Sequence, residues 1–229
     1  PGIGKSRLAE HVAEEAEARG ARVAWGRCWE AGGAPAYWPW IQLFRDLGLD
    51  SDPFARTARQ LELEAGPADA RFAAFDRAVR GLEAAAARQP LALVLDDLHA
   101  ADTPSLLLLV LLVRQLQRTP ILVVGAYRDA ESLASPEVAT LLAKVARQAE
   151  VCPLARLGPE AVTAWAREAV STLGDARSEE LYRVTEGHPL FVVDLLRDLR
   201  RRHVLTQQDG RWVSTADLES LEREVPESV

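Results

Sequence analysis

The chain has 229 residues, 48% of them hydrophobic, and a net charge of −7. That is enough apolar material for one α/β core with a smaller attachment. The acidic balance argues against a large nucleic-acid-binding face here, so a DNA-binding module is expected outside this chain. The longest apolar run, Leu106 to Val113, is too short to span a bilayer. Cys28 and Cys152 form neither a C-x-x-C pair nor a disulfide framework. Both are expected to be buried small apolar side chains in a reducing cytosol, with no membrane partner.

In chain order, Gly2-Ile3-Gly4-Lys5-Ser6 comes first. Lys5 to Arg19 then reads as a helix with an apolar stripe of Leu8, Val12 and the alanines between them, stopped by Gly20. Arg22 to Trp29 alternates as a strand does. Beyond the Gly-containing loop Ala31 to Pro35 lie Tyr37, Trp38 and Trp40, with Pro39 placed to open a helix to Leu47. Leu49 to Pro67 is polar and Pro/Gly-punctuated, a surface excursion. Asp69 to Arg88 predicts a helix, because Phe72, Phe75, Val79 and Leu82 recur at helical spacing.

Leu91 to Leu95 is continuously apolar, the pattern of a strand buried on both faces of a parallel sheet. Thr103 and Pro104 supply a cap and a first-turn proline for a helix from Ser105 to Arg118. Ile121 to Ala126 predicts a second buried strand, and Pro136 to Ala149 another helix. A weaker strand candidate covers Val151 to Leu157. From Gly158 the pattern is helical: Pro159 to Val170, Ser178 to Thr185 and Pro189 to Arg202. The tail from Gln207 is polar, with a short hairpin around Trp212 and Val213. No internal repeat is apparent. The alternation predicts an α/β P-loop NTPase fold, a doubly wound, mostly parallel sheet with a small C-terminal helical lid. Its divisions are a core over 1–157, a lid over 158–203 and a linker over 204–229.

Gly4, Lys5 and Ser6 fill the last three places of G-x-x-x-x-G-K-[ST], whose first glycine would lie two residues before Pro1. With no methionine in the chain, this predicts a fragment whose first strand is truncated. Glycines let successive backbone N–H groups curl round phosphate oxygens, and the next helix presents its positive end. The expected cofactor-binding residues are therefore Gly2, Ile3, Gly4, Lys5, Ser6 and Arg7. Lys5 would reach the β- and γ-phosphates, and the Ser6 hydroxyl would bind Mg²⁺.

Leu93-Val94-Leu95-Asp96-Asp97 places carboxylates at the sheet's C-terminal edge, where nucleotides bind in such folds. Asp96 would hold Mg²⁺, which keeps much of its hydration shell, and Asp97 would take a proton from the attacking water or orient it. Two acids in that position also serve to cap a following helix. Arg128 ends the next strand, where a cation would meet the γ-phosphate, a reading its position favours over a strand-end arginine paired with Asp129 or Glu131. Gly187-His188-Pro189-Leu190 alone is a helix-start signal, with His188 a surface corner residue. Tyr37, Trp38 and Trp40 suit packing better than base stacking, since basic neighbours are sparse. The basic run Arg197, Arg200, Arg201, Arg202 and His203 suits a helix C-terminus.

Pro1 to Ser6, Leu93 to Asp102, Tyr127 to Asp129 and Gly187 to Phe191 together resemble four ordered motifs of the STAND NTPases, signal-transduction ATPases related to the AAA+ group. Trp25 to Cys28 and Ala34 to Trp40 resemble a narrower bacterial branch. That branch comprises large LuxR-type transcriptional regulators and the ATPase segments attached to adenylate or guanylate cyclases. The resemblance covers nearly the whole chain. It departs at Ala100, where this branch often has tryptophan; Val225-Pro226-Glu227-Ser228 resembles the approach to a winged-helix region.

The resemblance implies that Lys5 and Ser6 bind phosphate and Mg²⁺, Asp96 the metal, and that Asp97 supports hydrolysis. It also implies that Arg128 senses the γ-phosphate and that Pro189 contacts the adenine or ribose. The expectation is an ATP-binding, slowly hydrolysing switch using ATP and Mg²⁺, most simply the regulatory ATPase of a transcriptional regulator. Its partners would be ATP or ADP and other domains of a parent chain; self-association on binding ATP is left open. The alternatives are a cyclase-linked ATPase, a nucleic-acid-remodelling ATPase with fast polymer-stimulated turnover, and an interaction module with a vestigial pocket.

Overall fold

The computed structural model describes residues 1–30, 33–49, 68–115, 119–128, 135–170, 175–202, 205–208 and 211–214. The expected excursion over 49–67, the tail beyond 214 and the side chain of Phe72 lie largely or wholly outside them. Two compact units are present: Lys5–Cys152, and Pro153–Val229 together with Pro1–Gly4.

In the larger unit the chain runs α1 (Lys5–Ala18), β1 (Arg22–Arg27), α2 (Trp38–Asp46), α3 (Ala68–Ala86), β2 (Leu91–Asp96), a 3₁₀ turn (Leu98–Ala100), α4 (Thr103–Gln115), β3 (Ile121–Gly125) and α5 (Pro136–Ala146). The strands form one parallel sheet in the order β1-β2-β3, with Arg27 opposite Asp96 and Leu95 opposite Gly125. Parallel strands joined through helices, with helices covering the sheet, make this an α/β fold, as expected.

The central strand β2 is buried at every position. Leu91, Leu93 and Leu95 face the main core, with Trp40, Phe44, Leu82, Leu106 and Leu109 among its members. Val94 points the other way, onto Ala9 and Ala13 of α1. The alanines thus form the contact stripe of α1, while Leu8, expected in that stripe, is exposed. Small side chains let the helix lie close to the sheet.

Strand β3 differs from its expectation. Expected as a second buried strand, it is only partly covered, with Leu122 48% exposed. A continuous apolar run reports composition, not neighbours: β3 ends the sheet order and pairs only with β2 among the described strands.

The aromatic cluster packs. Tyr37 and Trp40 are buried, Trp40 Nε1 donates to the Ser105 carbonyl (3.1 Å), and Tyr37 meets Phe75 edge-on at 6.0 Å. Gly26 permits this, because a Cβ there would run into the Pro39 carbonyl. The cap of α4 is Asp102 rather than Thr103: its carboxylate accepts from Ser105 N (2.9 Å) and Ser105 Oγ (2.7 Å). Asp102 also accepts from Tyr37 N at 3.3 Å, so one carboxylate ties α2 to α4. The chosen cap is the acid that serves two backbone donors.

The smaller unit holds α6 (Pro159–Ala169), α7 (Asp175–Thr185), α8 (Pro189–Arg201) and an antiparallel hairpin of β4 (Leu205–Gln208) and β5 (Arg211–Ser214). Val162, Ala166, Val170, Leu181, Val192, Leu196 and Leu199 form its core. The strand expected over 151–157 does not form: Val151 is exposed, and Leu157 N instead donates to the Gly187 carbonyl (2.9 Å). Gly187 has a φ of +72°, and a Cβ there would meet the Leu157 carbonyl. No helix among the described residues is long and apolar enough to cross a membrane.

Candidate functional site

The parallel sheet delivers the ends of all three strands to one edge, which is where the expected polar residues converge. Ser6, in the first turn of α1, donates its hydroxyl to Asp96 Oδ2 at 2.9 Å across 90 residues of sequence. Asp96, only 1% exposed, closes β2. Its Oδ1 accepts the Asp97 N–H (3.0 Å), and Arg27 Nη2 lies 3.4 Å from Oδ2. A buried carboxylate with three donors is fixed in orientation. Its backbone carbonyl accepts from Cys28 N at 3.0 Å.

Ser6 Oγ and Asp96 Oδ2 are hard oxygen donors meeting at one point. That donor set fits Mg²⁺, which takes oxygen ligands and retains water. Lys5 opens the same helix. Gly2 and Gly4 have φ of +74° and +101°, conformations open to glycine that turn the backbone of the loop. The Arg7 side chain points along α1 to Glu10 (3.1 Å) and Glu14 (3.5 Å), so only its backbone is available to a phosphate.

Asp97 sits past the strand end in the left-handed region (φ 57°, ψ 41°), opening the 3₁₀ turn. Such a conformation costs a non-glycine residue about 1–3 kcal/mol and concentrates at functional sites. Leu98 N bonding to the Ala126 carbonyl (2.9 Å) holds the turn. Burial is the first cause raising the Asp97 carboxyl above its ordinary range. The Asp96 and Glu30 carboxylates add to it, while His99 and Arg128 oppose it.

Arg128 lies past β3 and is 25% exposed on its side chain; its Nη2 meets Glu30 Oε1 at 3.0 Å. Asp129 and Glu131, the partners considered from sequence, lie outside the described residues. Glu30 Oε1 also accepts from Nε2 of the enclosed His99 at 3.0 Å. Glu30, Asp97 and His99 each present a ligand atom within 4.8 Å of the others.

Sequence reasoning missed Arg27, Glu30 and His99. For Arg27 a signal existed: like Arg128, it is a charged residue at the C-terminal end of a strand. Glu30 and His99 belong to no spacing rule, and only the register of β1 on β2 brings them to one place.

In the smaller unit Pro189 is the first residue of α8. His188 Nε2 lies 3.1 Å from the Pro1 carbonyl, its ring stacked on Phe191, and Leu190 N donates to the Gly2 carbonyl (3.2 Å). His188 is therefore a bonding residue of that unit and not a bare surface corner. Of the cysteines, Cys28 is buried as expected, and burial, followed by Asp102, Asp97 and Asp96, pushes its thiol up to about 12. Cys152 is exposed, contrary to expectation, because the segment that would have buried it forms no strand.

A comparison with curated proteins finds no match. A family model described as an AAA ATPase domain matches residues 1–124, more than half of the 229 and the stretch containing Lys5, Ser6, Asp96 and Asp97. Such domains bind and hydrolyse nucleotide, typically with Mg²⁺. A phosphate-loop end bonded to a buried strand-end carboxylate, on a parallel sheet that this family model spans, leaves one assignment: the chain belongs to the family of AAA ATPase domains.

Proposed function

We propose that this domain is an ATP-dependent switch of the signal-transduction type, hydrolysing ATP slowly to ADP and phosphate. The observation that carries it is the Ser6–Asp96 contact at 2.9 Å with Asp97 beside it. Metal-binding oxygens and a proton acceptor are thereby adjacent, and a net charge of −7 argues against a large nucleic-acid-binding face.

Lys5, at the start of α1, neutralises the β- and γ-phosphates of bound ATP. Ser6 Oγ and Asp96, directly or through water, would hold Mg²⁺, which would supply positive charge to offset that of the phosphates. Asp97 accepts a proton as water attacks the γ-phosphorus; the bond to the bridging oxygen breaks and ADP departs. Arg128 stabilises charge on the transferred group and ceases to do so once phosphate leaves. Loss of that contact biases the helical unit between two arrangements, as far as ATP and ADP differ in affinity for each. The ordered motifs ending at Gly187-His188-Pro189 support the signal-transduction class, and the stretches Trp25 to Cys28 and Ala34 to Trp40 support a bacterial transcriptional regulator as the parent, with ATP and ADP as its ligands and a separate domain as its output.

Turnover measurements on the full chain test this. A switch hydrolyses slowly, retains nucleotide tightly and ignores added DNA or RNA. Fast turnover stimulated by nucleic acid would replace the switch with a remodelling ATPase. A cyclase activity in the full chain would replace the transcriptional output with a cyclase-linked one.

A further inference from the structure

Glu30 lies three residues beyond the end of β1, carried by the β1–β2 pairing to the edge where Asp96 ends its strand. One of its oxygens, Oε1, is shared by two donors from two different connections: His99 Nε2 after β2 and Arg128 Nη2 after β3, each at 3.0 Å. The cluster of Glu30, Asp97 and His99 has the spacing of a cation site. The guanidinium of Arg128 already supplies positive charge to Glu30, so the arrangement reads better as an ion-pair relay than as a second metal centre.

The three partners differ in freedom. The His99 side chain is almost fully enclosed, whereas the Glu30 side chain is 46% exposed. Glu30 can therefore turn to water at little desolvation cost, while His99 stays. A γ-phosphate brought to Arg128 would meet two carboxylates, those of Glu30 and Asp97, around the same cation. Like charges around one guanidinium are unfavourable, and Glu30 is the one free to leave.

We propose that Glu30 is a specificity-determining residue that sets the preference between ATP and ADP. It occupies Arg128 when no γ-phosphate is present and must be displaced when one arrives. ADP, lacking that phosphate, leaves the Glu30–Arg128 pair intact. The inference rests on the reading of Arg128 as the γ-phosphate contact.

The test is calorimetric titration of the full chain with Mg²⁺ and either ADP or a non-hydrolysable ATP analogue. Glu30→Gln is compared with wild type, with Arg128→Gln and with the double variant. Because Glu30 is half-exposed, its replacement leaves the fold in place, which a thermal melt checks. Glu30→Gln should tighten binding of the triphosphate about two- to fivefold, the range of an exposed ion pair, with ADP affinity unchanged. In the Arg128→Gln background the same change should have no effect. An unchanged ratio, an equal shift for both nucleotides, weaker triphosphate binding, or a full effect without Arg128 would each overturn the proposal while leaving the nucleotide site standing. Wild type binding neither nucleotide would overturn both.

Discussion

Two neighbouring strand ends in this domain are built in opposite ways. β2 is buried throughout and closes on Asp96, whose oxygens are occupied by Ser6, Arg27 and the backbone of Asp97. β3 is only partly covered along its length, and Arg128, three residues past its end at Gly125, shares an exposed carboxylate with His99. A buried, multiply bonded acid is costly to move and suits a fixed ligand position. A partly exposed ion pair is worth about 0–1 kcal/mol and suits exchange. On the proposed reading, the difference lets one sheet edge keep a metal position constant while the pairing at Arg128 exchanges with the nucleotide bound.

The comparison breaks most visibly at Asp97, which lies between the two ends. Asp97→Asn should keep ATP affinity and lower turnover by about 10²–10⁴-fold, the contribution of a general base; single-turnover phosphate release reads it. Equal turnover would assign Asp97 to structure alone. Next in size is thiol reactivity in the native chain. Cys28, backing Asp96 with its thiol near 12, should label at least about 10²-fold more slowly than exposed Cys152. Mass spectrometry after brief alkylation distinguishes them, and comparable labelling would mean that the β2 end is open.

Core substitutions sharpen the contrast further. Leu93→Ala in β2, buried completely, should cost about 2–5 kcal/mol in denaturant unfolding. Leu122→Ala in β3 should stay within about 1 kcal/mol. Similar losses at both positions would show that β3 is as enclosed as β2.

Much of this was legible in the residues. Leu91–Leu95 followed by two acids announces a buried strand with carboxylates at its end, because each element of that pattern has one main physical cause. Helix positions followed from apolar spacing, and the packing role of Tyr37 and Trp40 from the scarcity of basic neighbours. What escaped depends on neighbours far away in sequence. The exposure of β3 is set by its place in the sheet order, the capping role of Asp102 by two backbone donors, and the absence of a strand over 151–157 by a bond to Gly187. Glu30 sits in a loop without a motif and His99 in a 3₁₀ turn within the Leu93–Asp102 stretch, and one Glu30 oxygen shared by His99 and Arg128 cannot be read from spacing.

The central claim is that Lys5, Ser6 and Asp96 form a Mg²⁺-dependent ATP site. Equilibrium ATP binding by the full chain, with and without Mg²⁺, beside the Lys5→Ala variant, tests it most directly. The account predicts binding that requires Mg²⁺ and is lost in Lys5→Ala while the thermal melt is retained. Binding that is indifferent to both Mg²⁺ and Lys5, or no binding by wild type, would contradict it.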